Sequence, residues 1–208
     1  SKIEKSLCRP CLLDVSFEQY GTPMPNRHII FPYEVSDAKA SLIPILRLKN
    51  QFPYAYKYFC SIKSILEVRA LGPRSKTDDW YKFGRSQSLR KFVGKPHLVW
   101  PVLSIGPKYV IDHSGTVMFT GGGNGPYYGL ELKGGIPECL EYVQAVLSYW
   151  LTELLVRSKT SVFSGGYYSH GKQFIAGLPV RRIDFSNREE VTLYEKAVDL
   201  VKELNDLT

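Results

Sequence analysis

A chain of 208 residues with 44% hydrophobic content can bury an ordinary core, which excludes wholesale disorder. Its 27 Lys and Arg against 20 Asp and Glu leave a formal net charge of +7. That balance favours an anionic partner, because clustered cations release condensed counterions when they meet phosphates. No apolar run approaches the ~20 residues that a bilayer span needs, and the basic opening SKIEK has no apolar stretch behind it. The expectation is a single domain over residues 1–208, soluble and without a membrane partner, and, since residue 1 is Ser, a piece of a longer protein.

Residues 1–27 read as an entry segment that ends in the turn-rich Gly21-Thr-Pro-Met-Pro-Asn26. It contains Cys8 and Cys11 as one C-x-x-C, while Cys60 and Cys139 stand alone. A structural zinc site usually needs a second close pair, and Pro10 with Leu12-Leu13 suggests extended backbone rather than a redox motif opening a helix. Reduced, structural thiols and a cytoplasmic setting follow.

HIIFPY at His28 to Tyr33 is the first convincing strand. From Phe52 to Ala70, apolar Phe52, Ala55, Tyr56, Phe59, Ile62 and Leu66 recur at helical spacing, with Pro53 in the first turn and Gly72-Pro73 as the stop. Lys108 to Ile111 and Thr116 to Thr120 read as the arms of a hairpin around Asp112-His-Ser-Gly115, where Asp can bond its own backbone and Gly accepts positive φ. Gly121 to Pro126 forms a loop, and Tyr127 to Leu132 returns as a strand. Ile136 to Arg157 carries the apolar stripe Leu140, Val143, Leu147, Leu151 and Leu154 of a principal core helix. A last amphipathic helix begins near Ser186, with Ser186 and Glu189 at capping-box spacing. The fold class is α+β: a β-rich core packed with a long central helix, an N-terminal helix and a C-terminal amphipathic helix.

The stretch Trp80 to Pro101, WYKFGRSQSLRKFVGKPHLVWP, organises the rest. Lys82, Arg85, Arg90, Lys91 and Lys95 punctuate it, Gly84-Arg85-Ser86-Gln87-Ser88 forms a polar turn, and Leu98-Val99-Trp100 closes it as a strand. The donors of that turn suit phosphates and base edges. A second stretch, Ser158 to Lys172, is polar, aromatic and basic at once, and His170 stands in it beside Tyr167, Tyr168 and Lys172. Asp112 followed by Glu131-Leu-Lys133 offers an alternative, a magnesium-dependent PD-(D/E)xK-like nuclease in which two carboxylates on neighbouring strands hold the metal. Against it, Asp112 already serves its turn, and Glu-Leu-Lys is ordinary alternation in a half-exposed strand. Neither an Asn-Pro-Pro-Tyr-type tetrad nor a cofactor-binding glycine turn is present, and Gly121 to Gly125 lacks the Gly-Lys-Ser/Thr ending of a phosphate loop.

In order and spacing, IIFPYE, FPYAYKYF with ILEVRA, WYKFGRSQSLRKF, KPHLVWP, the strand ending at Asp112, VLSYWL and FIAGLPV resemble the TaqI-like C-terminal specificity domain. That domain is the target-recognition module of fused type II restriction-modification enzymes and related N6-adenine DNA methyltransferases. The resemblance covers most of residues 28–180. It implies an α+β recognition domain that is noncatalytic by itself, binds no cofactor, and partners double-stranded DNA and a methyltransferase domain or subunit that holds S-adenosylmethionine. On this reading Gln87 reads adenine and Arg85 guanine, Arg90, Lys91, Lys159 and Lys172 clamp phosphates, and Ser88, Asn124, Tyr167, Tyr168 and His170 complete the DNA-binding set.

Overall fold

The computed structural model describes residues 2–36, 39–69, 77–84, 89–90, 94–119 and 127–208. Its first half holds β1 (Cys8–Leu12), β2 (Arg27–Ile30), β3 (Tyr33–Val35), β4 (Ala40–Leu42), α1 (Ile45–Gln51), α2 (Pro53–Ser61) and α3 (Lys63–Glu67). A β-rich middle follows, with β5 (His97–Pro101), β6 (Leu103–Ser104), β7 (Val110–Asp112), β8 (Met118–Phe119) and β9 (Tyr127–Leu130). The last part holds α4 (Leu140–Ser148), α5 (Trp150–Ser158), β10 (Val162–Phe163), β11 (Tyr167–Ser169), α6 (Lys172–Ile175) and α7 (Arg188–Leu207). The class is α+β.

Everything is arranged about β5, whose first four residues are all buried. Successive side chains of a strand point to opposite faces. Leu98 and Trp100 therefore join Ile111 and pack on Leu140, Val143 and Leu147 of α4 and Val156 of α5. Val99 faces the other way, with Val110, Leu12, Phe17, Val117 and Tyr127. β5 is flanked by β7 and β9, both antiparallel to it. A strand covered on both faces reads as a continuous apolar run, as Leu98-Val99-Trp100 does. A further cluster, Leu48, Ala55, Phe59 and Leu66 with Trp80 and Tyr81, is built by α1 to α3.

Three expectations change in detail. The helix expected over Phe52 to Ala70 is two short ones, α2 and α3, and a helix that was not expected, α1, precedes them. Phe52, at φ −132 and ψ 60, separates α1 from α2, because a residue before proline is pushed out of the helical region. The Glu4 carboxylate then accepts the N–H groups of Tyr54 and Ala55 at 2.8 and 2.9 Å, satisfying donors that the start of α2 leaves open. The helix expected over Ile136 to Arg157 is α4 and α5, separated by Tyr149 in an extended conformation (φ −69, ψ 136). The last helix starts at Arg188, where the Asn187 side chain accepts from Glu189 and Glu190 N–H, and Ser186 instead donates to Asp184.

The hairpin expected after Asp112 is also different. The turn is there, but β8 leaves it to run parallel to β1, while among the described residues β7 pairs only with β5. α7 is fixed against α4 by a reciprocal amide pair: Gln144 Nε2 donates to Asn205 Oδ1 at 3.1 Å and Asn205 Nδ2 to Gln144 Oε1 at 3.0 Å.

Candidate nucleic-acid interface

The aromatics that open the basic stretch are structural. Trp80 and Tyr81 are buried, the Tyr81 hydroxyl donates to the Ile43 carbonyl, and Arg69 donates to the carbonyls of Trp80 and Lys82. From this anchored base the chain runs to Gly84. Phe83 N donates to the Tyr33 hydroxyl at 2.6 Å, so the start of the polar turn is tethered to β3. Arg85, Gln87, Ser88 and Lys91, and Asn124 of the glycine loop, lie outside the described residues. Arg90 is exposed.

The far end of the stretch is fixed by the Asp112 turn. Asp112 Oδ1 accepts Ser114 N at 3.0 Å and Ser114 Oγ at 2.6 Å, and Oδ2 accepts Val117 N at 2.9 Å. The turn ends at Gly115, with φ +61, whose carbonyl accepts Gly94 N at 2.7 Å. The exposed Lys95 is thereby held just before β5.

This geometry does not favour the nuclease alternative. Asp112 lies in β7 and Glu131 just beyond β9, and β5 runs between those strands, so the carboxylates are not on neighbours. With strands ~4.8 Å apart, their backbones stand about 10 Å from each other. Among the described residues no group of three or more His, Cys, Asp or Glu is placed to hold a metal. Cys8 and Cys11 sit three positions apart on β1, on opposite faces. Burial pushes both thiols up, with Glu4 adding to the shift at Cys8, which keeps them protonated.

The second basic stretch stands at the other end of β5. β10 and β11 form a hairpin that adds to β6, with Tyr168 opposite Ser104 and Ser169 opposite Leu103. Tyr167, Lys159 and Lys172 are exposed. Tyr168 is half-buried, its ring covered by the Arg157 guanidinium 4.6 Å from the centroid. His170 is enclosed, only 1% exposed, so its imidazole holds the hairpin from inside rather than meeting a ligand at the surface. Its Nε2 lies 2.9 Å from Glu153 Oε2, and Arg157 Nε donates to Glu153 Oε1 at 2.7 Å. Burial pushes the Glu153 carboxyl up, but the hydrogen bonds from His170 and Arg157 outweigh it and hold the group below the ordinary carboxylate value. Trp100 Nε1 donates to the His170 carbonyl at 2.8 Å, which ties the hairpin to β5.

One cation passed over in the sequence, Arg9, is brought into play here. Arg9 on β1 and Lys95 border a common cleft with Arg90. Nothing in the local pattern around Arg9, a lone arginine between two cysteines, marks it.

The chain is similar to a protein already known for restriction and modification. The chain is 27% identical over 213 aligned positions to the type II restriction enzyme and methyltransferase RM.Eco57I of Escherichia coli. Its similarity is to the restriction-modification enzymes. The match covers 99% of this chain and 21% of that protein, so the chain spans about a fifth of the relative's length. No family model matches the sequence. Among the described residues no helix is long and apolar enough to cross a membrane.

Proposed function

We propose that the chain is the target-recognition module of a restriction-modification enzyme, of the TaqI-like specificity kind, which grips duplex DNA and directs a separate adenine-methylating domain to its site. The observation that carries this reading is the match itself: nearly the whole chain aligns with only a fifth of an enzyme named for both restriction and methylation. The formal charge of +7 agrees with a polyanionic partner. S-adenosylmethionine would be held by the other domain, and no reaction step falls to this chain.

On this reading the work divides by chemistry. Phosphates repeat at every step, so Arg90, Lys91, Lys159 and Lys172 set register and orientation. Base edges differ, so Arg85 and Gln87, with Ser88 and Asn124, read them. Tyr167 and Tyr168 give the second basic stretch an amphipathic contact surface, and His170 supports it from beneath.

Exchange of this segment between two restriction-modification enzymes of different site preference tests the proposal. Mapping of methylated adenines should show that the recognised site follows this chain. If the site follows the remainder of the enzyme, the chain is not the recognition module.

A further inference from the structure

A cleft of about 870 Å³ opens between β1, β3 and the segment just before β5, and its walls include Arg9, Arg90, Lys95, Phe31, Tyr33 and Glu131. We propose that this cleft is a phosphodiester clamp for duplex DNA, with Arg9 and Lys95 as its gripping cations and Arg90 at its rim. The inference rests on the recognition reading above and extends it to a surface formed by residues remote in sequence.

Charge is the first argument. Arg9 and Lys95 form no ion pair among the described residues. Glu34, which also lines the cleft, is bound outside it by Arg47 at 2.8 Å. Arg9 and Lys95 therefore bring positive charge to the cleft, beside Arg90 and Glu131, which have partners of their own. A cation with no carboxylate paired to it attracts a polyanion, which supplies the missing countercharge.

Preorganisation is the second. The Arg9 guanidinium stands 5.9 Å from the Phe31 ring centroid, a contact that steadies the side chain and leaves its charge in place. Lys95 is fixed by the turn that Asp112 closes and by the bond from Gly94 to Gly115. Neither cation has to be gathered from a flexible tail when the ligand arrives.

Shape and position complete the case. The pockets that take small apolar ligands are enclosed and mostly hydrophobic. This one has an exposed rim at Ser6, Glu34, Ser36, Arg90, Gly94 and Lys95, suited to a chain that lies along it and continues past both ends. Tyr33, in its wall, holds Phe83 N at the entrance to the polar turn, and Arg90 follows that turn.

The test is a salt titration of binding by the full-length protein to duplexes with and without its preferred site. Arg9→Gln and Lys95→Gln should each weaken binding on the order of ten-fold on both duplexes, as expected for loss of one charged hydrogen bond. Each should also lower the salt slope by about 0.9. Arg9→Lys and Lys95→Arg, which keep the charge, should stay near the wild type, as should Lys196→Gln on α7. Wild-type affinity and slope in both glutamine variants would overturn the clamp and leave the recognition reading standing. Absence of salt-dependent binding by the unaltered protein would overturn both. If Arg9→Gln fails to fold, the slope of Lys95→Gln decides.

Discussion

A Cβ placed on Gly115 would lie 2.3 Å from the backbone nitrogen of Lys95 and 2.6 Å from its carbonyl oxygen. Both obstacles are backbone, so neither can swing aside. Gly115 is also at φ +61, where a side chain is strained in any surroundings. Gly115→Ala should therefore destabilise the fold by roughly 2–4 kcal/mol, combining overpacking with backbone strain. Urea unfolding measures it, and an unchanged midpoint would show that the Lys95 segment does not rest on this turn.

Asp112 is the same turn's other anchor, accepting two backbone N–H groups and one hydroxyl. Asp112→Ala strands those donors and should cost about 2–3 kcal/mol, whereas magnesium should not shift the melting temperature of wild type or variant. Stabilisation by magnesium in the wild type, lost in Asp112→Ala, would restore the metal reading.

The Glu153 carboxyl is held below its ordinary value of 4.5 by His170 and Arg157 against the push of burial. A depressed carboxylate contributes stability that is fully present above the unfolded value and lost as pH falls through the folded one. Glu153→Gln should thus be less stable than wild type at pH 7, by roughly 3 kcal/mol for a broken buried pair. The gap should narrow below about pH 4.5. A gap constant from pH 7 to pH 3 would contradict the assignment.

The division between phosphate and base contacts has its own signature. Lys172→Ala should weaken binding on all sequences and lower the salt slope by about one unit. Gln87→Ala should cost about 1–3 kcal/mol on the preferred site and little on random DNA. Equal losses from Gln87→Ala on both duplexes would make Gln87 a general contact rather than a reader.

What the sequence determined by itself was local. The stripe on α4, the apolar run of β5 and the Asp112-to-Gly115 turn are each specified by residues within one or two turns of chain, since periodicity and turn chemistry act at that range. The Tyr149 break escaped because neither proline nor glycine marks it and the stripe continues beyond it. Tertiary structure decided the strand pairings, since the pairing of β8 with β1 and the place of β5 between Asp112 and Glu131 depend on contacts between distant segments. It also enclosed His170, which in sequence looks as available as its tyrosine neighbours but is claimed by Glu153 from another element. The gathering of Arg9 with Lys95 was its doing too: Arg9 is unremarkable alone, and only the tertiary structure puts it on the same cleft as Lys95 of the basic stretch.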